Sequence, residues 1–201
     1  MTFISKKTIL LISIIVSFII ILIATFMFAE YLSRKNTPKK ISDIIENINL
    51  VDHNGIEFNL NTFNGNPSLL FFGFTHCPEI CPTTLSQLSE ITKNLQTPIN
   101  STNIIFVTLD PNRDTQDHLK EYIRYFNKNV LAITGEIDEI KKFADNWNVF
   151  FETIGPSQEN YNLNHTATVF MLDRTGMFRG TIAWGENEKS IIKKIINLNK
   201  Y

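Results

Sequence analysis

The chain has 201 residues, a formal net charge of -1, 43% hydrophobic residues and 19% charged ones. That supports one globular core with a further segment at one end, and a near-neutral balance without a basic stripe argues against nucleic-acid binding. Two cysteines in this length exclude a disulfide scaffold and leave the pair as a candidate site.

Residues 1–7 form a short tail ending in Lys6 and Lys7. Residues 8–29, TILLISIIVSFIIILIATFMFA, run almost without polar interruption, and about 21 residues at a rise of about 1.5 Å cover the roughly 30 Å hydrocarbon core of a bilayer. The run reads as a single transmembrane anchor rather than a cleaved signal peptide. It exceeds the roughly 7–15 apolar residues of a signal core, and no small-x-small site follows it. Lys6 and Lys7 precede it while Arg34, Lys35, Lys39 and Lys40 follow, a count that by the positive-inside rule favours a cytoplasmic domain. A two-lysine tail is nevertheless an ordinary anchor start. The cysteine chemistry suits a domain outside the cytoplasm, and the expected location is a bacterial inner membrane, single-pass, with the C-terminal domain facing the periplasm. Residues 30–43 are polar, contain Pro38 and read as a stalk, and residues 44–201 form the domain.

Within the domain, residues 47–51 and 56–60 alternate around Asp52-His53-Asn54-Gly55, and the Asn-Gly pair predicts a hairpin. Residues 68–74 are apolar and aromatic and predict a buried strand, followed by a helix over 82–95. A second strand is expected over 104–109, a helix over 114–126, a short strand over 130–133, a helix over 137–147 and an extended segment over 149–154. The polar run 155–164 leads to His165. Residues 166–172 and 177–183 then read as a hairpin around Arg174-Thr175-Gly176, and a last helix over 188–198 carries Ile191, Ile192, Ile195, Ile196 and Leu198 on one broad face. Strands alternating with helices, then a hairpin and a helix, predict an α/β fold. It is a thioredoxin-like three-layer sandwich with an N-terminal β-hairpin extension, preceded by one transmembrane helix. In such sheets ligands sit beyond the carboxyl ends of the strands, where Cys77 falls.

Both cysteines, Cys77 and Cys81, lie in the strand-to-helix turn, beside Pro82. Pro82 suits the first helical position, so Cys81 is placed where free backbone N–H groups and the helix dipole stabilise a thiolate. Inert buried thiols are the plain alternative, but they have no reason to cluster at such a place. Redox exchange and metal binding remain. A thiol–disulfide exchanger usually has two residues between its cysteines, and in this chain there are three. A metal needs a further ligand. His53 in the hairpin turn and His118 on the polar side of a helix read as solvated surface residues. His76 adjoins Cys77 but should point to the opposite side. His165 opens a strand of the same sheet and can reach the turn, although a loop histidine also commonly satisfies backbone groups.

Residues 72–82 (FGFTHCPEICP), 110–115 (DPNRDT) and 161–166 (YNLNHT) resemble, in the same order, the signature segments of the Sco/SenC family of membrane-anchored copper proteins. The resemblance runs from about Asn47 to the C-terminus. It implies a thioredoxin-like fold, copper (Cu(I) or Cu(II)) as the bound metal, and Cys77, Cys81 and His165 as its ligands. It also implies a function: a membrane-anchored copper chaperone that delivers copper to the CuA site of cytochrome c oxidase subunit II, reduces that subunit's cysteines, or both. A thioredoxin-like reductant and an upstream copper donor are the further partners that reading implies. Soft thiolates suit Cu(I), imidazole extends the set to Cu(II), and three ligands leave an opening for transfer. One departure is that family members commonly carry Asp immediately before the histidine, where this chain has Asn164. If that carboxylate orients the imidazole, copper affinity should differ in this chain. The alternative reading is a membrane-tethered thiol–disulfide oxidoreductase in which Cys77 attacks and Cys81 resolves. A peroxidase lacks a second catalytic signature, and zinc is the competing ion for a Cys-Cys-His set.

Overall fold

The computed structural model of the chain describes residues 6–35, 40–63, 65–95, 101–126, 130–155 and 161–201. The expectations for the extreme tail, for part of the stalk (36–39) and for the middle of the polar run (156–160) fall outside these residues. Two compact units are present, Met1–Pro38 and Lys39–Tyr201.

The first unit is one helix, α1 (Lys6–Lys35), continuous over 30 residues. Its described side chains, Ile12 and those of residues 14–28, are exposed. Among the described residues no helix is long and apolar enough to cross a membrane, so the anchor expectation is carried by the sequence of residues 8–29.

The second unit opens on a short helix, α2 (Ile41–Ile45), and is built on a six-stranded sheet in the order β1-β4-β3-β2-β7-β8. Its strands are β1 (Leu50–Asp52), β2 (Ser68–Gly73), β3 (Asn103–Thr108), β4 (Val130–Gly135), β7 (Thr168–Leu172) and β8 (Phe178–Ala183). β2, β3 and β4 run parallel, and β7, β8 and β1 are antiparallel to their neighbours. All six residues of the central strand β2 are buried, which requires cover on both faces of the sheet. The alternation of side chains shows what covers each. Phe71 and Gly73 face Phe106 and Cys81, on the side of α3 (Ile80–Asn94) and α4 (Gln116–Ile123). Phe72, on the other face, meets Phe143 of α5 (Ile137–Asn146) and Phe170 of β7. α5 buries Ile140, Phe143 and Ala144, and α6 (Glu188–Leu198) buries Ile191, Ile195 and Leu198, each at helical spacing. The expected α/β three-layer arrangement is thus present.

Three expectations are corrected. The N-terminal hairpin is reduced to the turn at Asp52 to Gly55 and one antiparallel bridge, Val51 with Glu57. Its first arm, β1, joins the main sheet through β4. Ile56 is exposed and only Phe58 of the second arm turns inward, so that arm has little to bury and continues instead as a 3-10 turn, Leu60–Phe63. The helix after the cysteine turn begins at Ile80 rather than Pro82, because a proline is accepted anywhere among the first orphan N–H positions. Finally, His165 does not open a strand of the main sheet. It ends β6 (Asn162–His165), which among the described residues pairs only with β5 (Phe151–Ile154), in a separate two-stranded ribbon.

Candidate metal centre

The cysteines sit where parallel strand β2 ends and α3 begins. Cys77 precedes the helix and is partly exposed, whereas Cys81 occupies its first turn and is fully buried. Close approach of Cys81 to the strand depends on Gly73, since a Cβ there would lie 2.8 Å from Cys81 Sγ and 2.8 Å from Phe106 Cε2. The backbone N–H of Cys81 donates to Cys77 Sγ at 3.4 Å. The free N–H groups of the helix start therefore serve Cys77, not Cys81 as the position beside Pro82 implies.

The electrostatics follow that geometry. The Cys81 thiol donates to Cys77, and this interaction, opposed by partial burial and aided by backbone N–H groups of Cys81, Glu79 and Ile80, lowers the Cys77 pKa to about 5. Cys81 is pushed up strongly, first by its bond to Cys77 and then by desolvation. At neutral pH the pair is a Cys77 thiolate beside a Cys81 thiol, one proton shared between two sulfurs.

His165 completes the cluster. Its Nε2 lies 3.6 Å from Cys81 Sγ, and its Nδ1 lies 3.1 Å from the carbonyl oxygen of Thr166. A carbonyl only accepts, so Nδ1 carries the proton and Nε2 turns a lone pair toward the sulfurs. Phe71 and Phe74 stand edge-on to the ring at 6.4 and 5.8 Å between centroids, forming apolar walls on the core side. Asn164 takes no part in orienting it. Its side chain points across the ribbon to Glu152 Oε1 at 3.3 Å, as strand alternation requires, and the Thr166 carbonyl does the work expected of a carboxylate at 164.

What holds the ribbon against the turn is not apparent from the sequence motifs singly. Arg113 Nε donates to Asp110 at 2.5 Å and its guanidinium to the Tyr161 carbonyl at 2.9 Å. The Tyr161 hydroxyl donates to Asp110 at 2.6 Å, and the Arg113 guanidinium lies 3.6 Å over the Tyr161 ring. Asp114, fully buried, accepts from the Thr75 backbone N–H at 2.9 Å, the Thr75 hydroxyl at 2.5 Å and the Thr108 hydroxyl at 2.6 Å. The three signature segments are therefore joined in a ring: 72–82 to 110–115 through Asp114, 110–115 to 161–166 through the Arg113–Asp110–Tyr161 clamp, and 161–166 back to 72–82 through His165 and Cys81. The remaining histidines lie outside this ring. His76 turns away from Cys77 as expected, but His118 is more than a solvated surface residue, since its ring stacks on His76 at 5.4 Å and its Nε2 lies 2.9 Å from Thr75 Oγ1. His53 is half-buried rather than solvated.

Comparison with known proteins agrees with this fold. A SCO2-like protein of Rickettsia felis is 37% identical over 131 residues, 64% of this chain and 64% of the relative, so the match spans a little under two thirds of that relative's length. Bradyrhizobium japonicum ScoI, solved with copper bound, is 29% identical, covers 75% of this chain and 96% of its own, and superposes with a TM-score of 0.67. Yeast Sco1, also solved with copper bound, is 31% identical over 75% of this chain and 84% of its own, with a TM-score of 0.66. The family model described as SCO1/SenC matches residues 36–200. On the strength of that match, which takes in all three signature segments, the chain belongs to the SCO1/SenC family.

Proposed function

We propose that the chain is a membrane-anchored copper chaperone that binds copper through Cys77, Cys81 and His165. Its cargo goes to the CuA site of cytochrome c oxidase subunit II, whose cysteines it can also reduce. The observation that carries this reading is the His165 Nε2 lone pair 3.6 Å from Cys81 Sγ, beside a Cys77 held as thiolate. Two sulfurs alone satisfy Cu(I), and adding an imidazole nitrogen makes a set that also accepts Cu(II). An exchanger has no use for a distal imidazole. Copper bound to the Bradyrhizobium and yeast relatives supports the same cargo. The anchor rests on the apolar run 8–29, and the placement of the domain on the periplasmic side of a bacterial inner membrane rests on the chemistry of the cysteines.

The test is to titrate the full chain in detergent, wild type and His165→Ala, with Cu(I) and Cu(II) separately. One copper per chain is expected at these three ligands for wild type. The variant should weaken Cu(II) far more than Cu(I) and bleach or shift the thiolate-to-Cu(II) charge-transfer absorption. Equal Cu(II) binding and an unaltered spectrum would remove His165 from the site. That outcome favours the second reading, a thiol–disulfide oxidoreductase, whose own support is the depressed pKa and partial exposure of Cys77 next to a resolving thiol.

A further inference from the structure

His76, Asp114 and His118 supply one nitrogen or oxygen each within 4.8 Å of one another. We infer that they form a second metal site, for a borderline first-row divalent ion of the zinc or Cu(II) kind, on the flank of the cysteine turn. The inference stands apart from the copper reading above, because it uses neither cysteine and not His165.

Two imidazoles and a carboxylate are the donor set of such ions and a poor set for Cu(I). The geometry is specific. His76 Nδ1 lies 3.4 Å from Asp114 Oδ1, and two ligands at about 2.1 Å from a shared ion in tetrahedral array are themselves about 3.4 Å apart. All three ligand atoms also point at one place. The Thr75 hydroxyl lies 3.1 Å from His76 Nδ1, 2.9 Å from His118 Nε2 and 2.5 Å from Asp114 Oδ1. A hydroxyl has one proton, which the carboxylate takes, so the Thr75 oxygen accepts from both rings. That focus is filled by the hydroxyl itself, so an ion takes the same three atoms by displacing it, with Thr75 rotating aside and water completing the shell. Each ring then carries its proton on its other nitrogen.

The site is held rigidly on one side and open on the other. Asp114 is fully buried and fixed by the Thr75 N–H and the Thr108 hydroxyl. Its one ion-pair partner among the described residues is His76. His118 is held in the first turn of α4, where its N–H bonds to the Thr115 cap. Both rings are exposed and stack with 23° between their planes, so an ion can enter from solvent and complete its shell with water. Because His76 adjoins Cys77, the nitrogen–oxygen site lies one residue from the thiolate. The chain thereby offers a divalent ion and a soft monovalent ion separate places on one turn.

The experiment uses the full chain in detergent with zinc alone, counted after equilibrium dialysis, and Co(II) alone as the spectroscopic probe. In a Cys77→Ser, Cys81→Ser, His165→Ala chain, we expect one zinc per chain and Co(II) ligand-field bands without sulfur charge transfer. Adding His118→Ala, an exposed substitution that leaves the buried Asp114 bonds intact, should weaken zinc at least about 100-fold and abolish those bands. In the otherwise unaltered chain, His118→Ala should take zinc from two equivalents to one. The proposal is overturned if the three-residue variant retains no zinc, if His118→Ala retains it undiminished, or if the unaltered chain binds the same number of zinc ions with and without His118.

Discussion

The cysteine turn and the His165 ribbon meet at one cluster but are held in place by different means. The turn grows out of β2, whose every residue is buried, and Cys81 is locked against Gly73 and Phe106. The ribbon has four residues per strand, pairs with no other strand among the described residues, and buries only Leu163. A two-stranded ribbon of that kind is marginal by itself. It keeps its place through the Arg113–Asp110–Tyr161 clamp and the contact of His165 with Cys81. Two of the proposed ligands are thus preorganised by the core, while the third is held by a few polar bonds and by the packing of Leu163, Phe151 and Tyr161 at the edge of that core. If the chain is the copper carrier proposed above, this places the adjustable ligand where moving it disturbs least of the fold.

The largest expected effect is on the ionisation of the turn itself. In metal-free protein the Cys77 pKa is lowered from 9.0 to about 5, with the Cys81 thiol as the leading cause. The folded value lies below the unfolded one. The resulting stabilisation is therefore fully present above about pH 9 and is lost as pH falls through about 5, so stability rises with pH across that window. Cys81→Ala removes the main donor and should return Cys77 most of the way to its ordinary value, flattening the slope. Iodoacetamide alkylation of Cys77 as a function of pH gives the midpoint. A midpoint that stays near 5 in the variant would mean that the helix N–H groups, not the second thiol, hold the thiolate.

Next in size is a pair of substitutions that sets core against clamp. Gly73→Ala inserts a Cβ into two contacts at 2.8 Å, one of them a phenylalanine ring in the core. It should cost about 1–3 kcal/mol of stability and weaken both copper states together, because it displaces Cys81. Tyr161→Phe removes the hydroxyl bond to Asp110, costs about 1 kcal/mol and should weaken Cu(II) while sparing Cu(I). Denaturant melts alongside the two copper titrations separate these outcomes. If Tyr161→Phe weakened both states equally, the ribbon would not be the independently held part.

The difference in construction also explains what the sequence can tell. The run at 68–74 announces a buried strand by composition, and the clustering of Cys77, Cys81 and Pro82 announces the turn, since both signals are local. β6 reads Asn-Leu-Asn-His and offers one apolar residue, too little periodicity to place it in a sheet, and its pairing with β5 is visible only once the chain has folded. The proline alone points to the wrong cysteine as the thiolate, because which sulfur receives the N–H groups depends on where the helix begins. The segment 110–115 is recognisable as a motif, but not as a brace, because Asp110, Arg113 and Asp114 act on partners 39 to 51 positions away. Thr75, His76, Asp114 and His118 come from two turns of the chain and only the fold brings them together.

The smallest expected effect concerns Asn164, the residue just before His165. Asn164 donates to Glu152 across the ribbon and does not touch His165, so Asn164→Asp places a second carboxylate opposite Glu152 on an exposed face. Like charges directly opposite on paired strands cost about 0.2–1 kcal/mol, and salt screens such a pair. The variant should therefore be slightly less stable at low ionic strength and indistinguishable from wild type at high salt. Its copper affinity and charge-transfer spectrum should not move, since His165 is oriented by the Thr166 carbonyl on the opposite side of the ring from the sulfurs. Thermal melts at two salt concentrations, with a Cu(II) titration at each, test both halves. A Cu(II) affinity that rose with the aspartate would show that the ribbon rearranges enough for residue 164 to reach the imidazole, and the clamp would then be looser than its bond lengths indicate.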